Sequence, residues 1–388
     1  MSRVLVISFT DLARDPRVDR QIGFLRRRYE VLAAGLGKPA DDDVPFIDLT
    51  PPDRARLGEL ARRGVSFAGL LARRHDDVYW RDPRNVCALA SLSDHDASVV
   101  IANDLSALPL ACRVAGSAPV VFDAHELFTA EQADLRWWRM IMAPYTDGLL
   151  RRYLPQVAAM MTVAPGIAEI YARRYGVSPA VVTNASQRVD LEPTPAHEPL
   201  RLIHHGVADP QRRLELMIEA TDRLEERFSF DLMLMRGSPR YYARLERMIA
   251  ARPRLNLIEP VGQREIARYC NSYDVGVYLL PPRNENLLRA LPNKIFEFIQ
   301  ARLALAIGPS PEMARVVRDW DCGVVAEDFT AQALAAVINS LTPERVTSFK
   351  ARAHAAAAEL NSERNGEILL ELVEQVLTSR GTPRRATA

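Results

Sequence analysis

The sequence predicts an α/β protein of two doubly wound parallel-sheet domains. Three observations carry this expectation. The chain has 388 residues, too many for one ordinary core. Short apolar runs, of the kind that parallel sheets bury on both faces, alternate with capped or amphipathic stretches along its length. The stretch 187–199 holds Pro193, Pro195 and Pro199 and few apolar residues, and it divides one such series from another.

The elements follow in order. Val4–Ser8 reads as a buried strand. The loop Phe9–Asp15 then leads to a helix over Pro16–Arg28, with Asp15 as N-cap and Pro16 at the first position. That loop lacks G-x-G-x-x-G, which counts against a nicotinamide dinucleotide fold. Glu30–Gly35 is the second strand. Residues 53–84 interleave Arg54, Arg56, Arg62, Arg63, Arg73, Arg74, Arg81 and Arg84 with apolar positions, as one or two helices with a basic face. The face is either simply solvated or a patch for an anionic acceptor or lipid headgroups. Ser98–Ala102 is a strand ending at Asn103-Asp104, and Pro119–Phe122 a strand ending at Asp123-Ala124-His125-Glu126. In the helical stretch after it, Trp137 and Trp138 stand among Arg136, Arg139, Arg151 and Arg152. They are core aromatics with a solvated basic side, or a peripheral membrane contact. Met160–Val163 and Ala180–Thr183 are further strands around a helix Ile167–Tyr175.

The second series opens with the strand Leu200–His204. Asp209-Pro210 caps a helix to about Arg227, and Phe230–Met235 is a strand ending at Arg236-Gly237. Tyr241–Ala251 and Gln263–Asn271 are helices around a strand Leu255–Ile258. After the strand Val275–Leu279 and the loop Leu280–Ala290 comes a helix that Pro292 opens at its first position. Leu303–Ile307 and Gly323–Val325 are later strands, and Ser362–Leu377 is a long last helix. Domains are therefore expected at 1–186 and 200–355, joined by 187–199, with a helix at 356–378 crossing back and a disordered tail at 379–388.

Composition narrows the function classes. Hydrophobic content of 48% and charged content of 26% are those of a soluble globular protein. A net charge of +1 gives no global attraction to nucleic acid, and no nucleic-acid partner is expected. Cys87, Cys112, Cys270 and Cys322 lie far apart without paired spacing, against a zinc site or a disulfide framework. No signal peptide opens the chain and no apolar run is long enough to span a membrane, so a cytoplasmic location is expected. Neither a G-x-S-x-G elbow nor a P-loop occurs. Asp94-His95-Asp96 precedes a strand and Asp41-Asp42-Asp43 sits in a polar loop, so no metal site is expected.

The candidate chemistry lies at the predicted strand ends. Lys294 falls in the first turn of its helix, where a cation opposes the helix dipole unless an anion docks at the free N–H groups. Glu297 follows three residues on, roughly on the same face. This set suits a nucleotide diphosphate, with the cation and N–H groups for phosphates and the carboxylate for ribose hydroxyls. Arg212 and Arg213 follow Asp209-Pro210 in the same manner, so two helix starts on one sheet edge form an electropositive anion pocket. In the first domain, His125 is a hydrogen-bonding or proton-handling group, or a structural histidine.

These stretches together resemble a retaining glycosyltransferase of the GT-B fold, in the broad family-four group. "SFTDLARDPRVDRQIGFL" is similar to that family's opening loop and helix, and "VVFDAHELF" to its Asp-Ala-His-Glu segment. "HHGVADPQRRLELMIEA" resembles its glycine turn and basic helix start, and "ALPNKIFEFIQARLALAIG" its nucleotide-contacting helix. The resemblance implies two Rossmann-like domains with an interdomain cleft that closes over the donor, acceptor-side first and nucleotide-sugar-binding second. It implies metal-free, cofactor-free transfer from a nucleotide diphosphate sugar, with retention, to a glycan, lipid-linked or small-molecule acceptor, in the cytoplasm or at the inner face of the membrane. Arg212 and Lys294 would stabilise the diphosphate, Glu297 would bind ribose, and His125 would contact the donor sugar. Gly206, Arg213, Gly237 and Asn293 would belong to the donor side; Asp15, Arg17, Asp123 and Glu126 would line the acceptor side. The sequence departs from the pattern at two places. Arg289 stands where many relatives carry the first of two glutamates, and Val207 where many carry an arginine. Arg289, Arg283 and Arg236 are the candidates to substitute. A nucleotide-sugar epimerase of the same fold, or a catalytically silent sugar-nucleotide-binding subunit, are the rival readings.

Overall fold

A computed structural model describes residues 1–51 and 67–379. The chain forms two compact units. The first comprises Met1–Thr183, Asn284–Leu287 and the chain from Asn365; the second comprises Asn184–Arg283 and Leu288–Arg364.

The first unit holds a seven-stranded, wholly parallel sheet. Its strands are β1 (Arg3–Ile7), β2 (Glu30–Gly35), β3 (Phe46–Asp48), β4 (Val99–Asn103), β5 (Val120–Ala124), β6 (Ala159–Thr162) and β7 (Ala180–Val181). They run in the order β3-β2-β1-β4-β5-β6-β7. Order reverses between β1 and β4, and open parallel sheets bind ligands at such a switch, beyond the strand ends. Helices cover both faces, which is why Val4–Ile7 and Val99–Ala102 are apolar without alternation and wholly buried. The last helix, Ser362–Thr378, sends Leu369, Leu370, Val373 and Val376 into the core of this unit, beside Val4, Val6, Ile22 and Phe24.

The second unit holds a six-stranded parallel sheet. Its strands are β8 (Leu200–Val207), β9 (Phe228–Met235), β10 (Leu255–Ile258), β11 (Val275–Tyr278), β12 (Ala304–Ile307) and β13 (Gly323–Val325). The order β10-β9-β8-β11-β12-β13 places its switch between β8 and β11. The fold class expected from the alternating pattern is therefore present twice.

Local differences have local causes. The first helix ends at Leu25, not Arg28. Strand β3 is only three residues long and carries too little pattern to be read. Pro292 is the N-cap, extended at ψ 154°, and Asn293 rather than the proline opens the helix Asn293–Gln300. The continuous helix expected from Asp209-Pro210 to Arg227 is broken: Pro210–Arg212 is a 3-10 turn, Arg213 is left-handed at φ 49°, and the helix proper is Glu215–Ala220. The expected loop Leu280–Ala290 contains a helical turn, Glu285–Leu288. Residues 187–199 lack helix and strand, but they are strapped to the second unit. The Arg302 guanidinium donates to the Val189 and Leu191 carbonyls, and the buried Lys350 ammonium donates to Thr194 Oγ1. Of the basic face over 53–84, Arg54, Arg56, Arg62 and Arg63 lie outside the described residues, as do Arg380, Arg384 and Arg385 of the tail. Trp138 is core, whereas Trp137 is 55% exposed.

Candidate functional site

In the second unit, Gly206, Arg212, Lys294 and Glu297 come together around the end of β8. Gly206 adopts φ 151°, and a Cβ there would lie 2.7 Å from Lys294 Cε and 2.9 Å from its Nζ. The glycine therefore lets the lysine lie flat over the strand end. Arg212 Nη1 would be 3.8 Å from the same Cβ, so an ammonium and a guanidinium share one small space. Asp209 accepts from Gln211 N and so fixes the turn that carries Arg212. Burial, then the Arg212 charge, pull the Lys294 ammonium down to about 8, against the opposing pull of Glu297. Glu297 is buried, its Oε2 3.3 Å from His205 Nε2.

The first turn of the helix Asn293–Gln300 has no acidic side chain, and Pro292 supplies no side-chain cap. Half-buried Asn293 opens that turn. Gly237 closes the floor, since a Cβ there would be 2.5 Å from the Ala208 carbonyl oxygen. Two like charges held together in a half-dry space, at a helix N-terminus, form a site whose electrostatics an anion would complete. Arg213, by contrast, is exposed and is not among the charges acting on Lys294. Arg283 donates to Gln211 Oε1, Arg236 stacks over Tyr242, and Arg289 reaches toward the buried Glu312 carboxylate at 3.9 Å.

Sequence reasoning assigned nothing to His204 and His205. Both are buried in β8. Burial, then Lys294, hold His204 down to about 3 and His205 well below the usual imidazole value. His204 Nδ1 donates to the Val277 carbonyl and ties β8 to β11, and its ring stacks on Tyr278. The polar pair inside an otherwise apolar strand was the available signal.

In the first unit, the strand ends β4 and β5 bring together Asn103, Asp104, Asp123, His125 and Glu126. Arg17 makes a two-pronged bond to Asp123, Nη2 to Oδ1 at 2.6 Å and Nε to Oδ2 at 3.0 Å, and Gln21 adds a third. Burial alone would raise the Asp123 carboxyl; the Arg17 guanidinium and His125 overcome it and hold it well below the usual range. Burial likewise opposes charge on His125, yet the Asp123 and Asp104 carboxylates push it up to about 9. The imidazolium spans them, Nε2 3.4 Å from Asp123 and Nδ1 3.3 Å from Asp104. Burial, with Glu131 and Asp104 nearby, lifts Glu126 to about 7. Glu126 accepts from Asn286 Nδ2, and Asn286 Oδ1 accepts from Leu127 N. Asp15 caps the first helix by accepting from Arg17 N and Val18 N. Of the four acceptor-side candidates, Arg17 and Asp123 thus sit in one buried ion pair and Asp15 in a cap.

Asp104 was not singled out from sequence. It stands at φ 66°, outside the comfortable range for a residue with a Cβ, and its Oδ1 is buried without a partner. Its place directly after a strand was the signal.

The acidic runs are committed elsewhere. Asp96 pairs with Arg3, His95 Nε2 lies 3.1 Å from the Val114 carbonyl, and Asp41 pairs with Arg26. Among the described residues, no group of three or more His, Cys, Asp or Glu is arranged to hold a metal ion. No described helix is long and apolar enough to cross a membrane.

The likeness to known proteins lies in the fold. Residues 26–192 match the family model described as Glycosyltransferase Family 4. No curated protein sequence matches. Among solved structures, HepE of Anabaena in complex with UDP-glucose superposes with a TM-score of 0.69 at 12% identity, over 97% of this chain and 100% of that one. Sucrose-phosphate synthase of Thermosynechococcus elongatus gives 0.72 at 13%, over 98% and 100%. The α,α-trehalose 6-phosphate synthase of Burkholderia multivorans gives 0.70 at 12%, over 100% and 99%. At these identities the likeness establishes the fold, GT-B.

Proposed function

We propose that this GT-B chain, similar over residues 26–192 to Glycosyltransferase Family 4, transfers a glycosyl group from a nucleotide diphosphate sugar to an acceptor hydroxyl. The observation that carries the reading is the pair Lys294 and Arg212 lying over Gly206 at a helix start, with Glu297 beside them. The two cations neutralise the departing diphosphate, electrostatic stabilisation of the kind that usually dominates such chemistry. The carboxylate of Glu297 accepts the ribose hydroxyls. HepE, of the same fold, is seen with UDP-glucose, which supports a nucleotide sugar as donor.

The bond from the anomeric carbon to the diphosphate oxygen breaks, the acceptor oxygen takes its place on the same face, and the acceptor proton leaves with the diphosphate. Configuration is retained. His125, charged at neutral pH and held with both ring nitrogens toward Asp123 and Asp104, contacts the donor sugar and does not serve as the base. The reaction needs no metal or cofactor, because Lys294 and Arg212 supply the positive charge. Four free cysteines suit a cytoplasmic setting.

Arg289 in place of a glutamate favours a second reading, a subunit that binds nucleotide sugars without turnover. Product analysis with a panel of nucleotide diphosphate sugars and alcohols tests both. Glycoside formation with the donor's anomeric configuration supports the transferase. Tight binding with an unchanged donor supports the silent subunit, and an isomerised donor would replace both with an epimerase.

A further inference from the structure

The first unit carries an open cavity of about 890 Å³, within the size range of small-molecule sites, and His125, Glu126 and Asp104 are among its lining residues. Its walls are mainly apolar: Phe67, Leu70, Leu105, Phe128, Met142 and Leu149 line it.

The polar groups of the wall are largely spent on one another. Tyr79 Oη donates to the Ser106 carbonyl, Thr146 Oγ1 to the Ala143 carbonyl, and Asn85 Nδ2 to the Tyr79 carbonyl. Asp82 caps its helix through Arg84 N. The Arg84 guanidinium lies on the Phe9 ring and donates to Asn85 Oδ1. The Asp104 carboxylate is less fully used: its Oδ2 faces the His125 imidazolium at 3.3 Å, and its Oδ1 has no hydrogen-bond partner. Charge follows the same logic. The lining holds the carboxylates Asp82, Asp104, Glu126 and Glu131, the last two raised by burial, against the guanidiniums Arg81 and Arg84 and the His125 imidazolium. A phosphorylated acceptor would meet no net positive charge there and few free donors.

We propose that this cavity takes an uncharged acceptor, an alcohol on an apolar body, with its hydroxyl donated to Asp104. The assignment rests on the transferase reading for the hydroxyl's fate, but not for its binding. An apolar body removes water from the aliphatic and aromatic wall, and the Asp104 carboxylate, which can only accept, selects a hydroxyl over an ether. Aromatic and alkyl alcohols share this chemistry.

Calorimetry on the full chain separates the possibilities, with 1-naphthol and n-decanol as alcohols, 1-methoxynaphthalene as the ether and glucose 6-phosphate as the anion. Uridine and adenosine diphosphates are titrated in parallel to report the donor site. The expected result is saturable binding of at least one alcohol, 1-naphthol marking an aromatic and n-decanol an alkyl acceptor. That alcohol should bind at least fivefold tighter than its methyl ether, and glucose 6-phosphate should bind more weakly. Met142→Arg should weaken the alcohol at least tenfold and leave diphosphate binding unchanged, with a wild-type circular dichroism spectrum and melting curve showing that the first unit stays folded. Asp104→Asn should erase the preference for hydroxyl over ether. Tighter binding of glucose 6-phosphate, or unchanged alcohol binding in Met142→Arg, overturns the proposal. Diphosphate binding without any alcohol binding overturns it while sparing the donor site. Alcohol binding without diphosphate binding supports the cavity and sinks the transferase reading.

Discussion

Replacing Lys294 by alanine divides the donor between two residues. The ammonium is held over Gly206 and beside Arg212, where burial and like charge bring it down to about 8. At pH 7 such a group is still mostly protonated, so the wild type binds a diphosphate at almost no protonation cost. Loss of a charge-assisted hydrogen bond costs about 1.5–3 kcal/mol, or roughly 10- to 150-fold in Kd. Lys294→Ala should therefore weaken a nucleoside diphosphate by that factor and leave the matching nucleoside within about twofold. Glu297→Ala should weaken both ligands alike, because the ribose is common to them. Above pH 8 the wild type must first take up a proton, and its diphosphate affinity should fall by up to about tenfold per pH unit. Lys294→Ala should lack this slope. Isothermal calorimetry on both variants, with nucleoside and diphosphate of one base at pH 7 and pH 9, reads all of these. Equal losses for both ligands in Lys294→Ala would refute the placing of the phosphates at this helix.

Three further outcomes are expected. Gly206→Ala forces a Cβ within 2.7 Å of Lys294 Cε at φ 151°; diphosphate affinity should drop at least tenfold, and an unchanged Kd would show that the lysine need not lie there. His125 is raised from 6.5 to about 9, so its contribution to stability is fully present below 6.5 and lost as pH rises through 9. Melting temperature should fall over that window, and His125→Gln should flatten the decline; an equal decline in the variant would count against the Asp123–His125–Asp104 arrangement. Arg17→Met leaves the Asp123 carboxylate buried without its main partner and should cost about 3–5 kcal/mol in urea unfolding; a loss below 1 kcal/mol would mean that water or Gln21 replaces the guanidinium.

Much of this architecture was legible in the sequence because parallel strands buried on both faces read as unbroken apolar runs. Val4–Ile7 and Val275–Val277 show it, and the polar residues just past such runs fall at the switch points by topology alone. Lys294 was legible for a different reason, as a cation where the helix dipole disfavours one. Local backbone conformation was less so. The left-handed turn at Arg213 breaks a stretch whose composition is helical, and it leaves Arg212 in the cluster while sending Arg213 to solvent. The partnership of Arg17 with Asp123 spans 106 positions, and nothing local announces it. Asp104 shows the converse, since its position after β4 was visible but its unpartnered oxygen appears only once the cavity wall is assembled.

The central claim, that a diphosphate completes the Lys294–Arg212 pair, is tested most directly by counting protons. Calorimetric titration of a nucleoside diphosphate at pH 8, in two buffers of different ionisation enthalpy, gives the protons taken up on binding. With Lys294 near half-protonated in the free protein and fully protonated against a phosphate, the account predicts an uptake of about 0.5 proton per ligand. The same titration in Lys294→Ala should show none. Zero uptake in the wild type, or the same uptake in the variant, would contradict the claim.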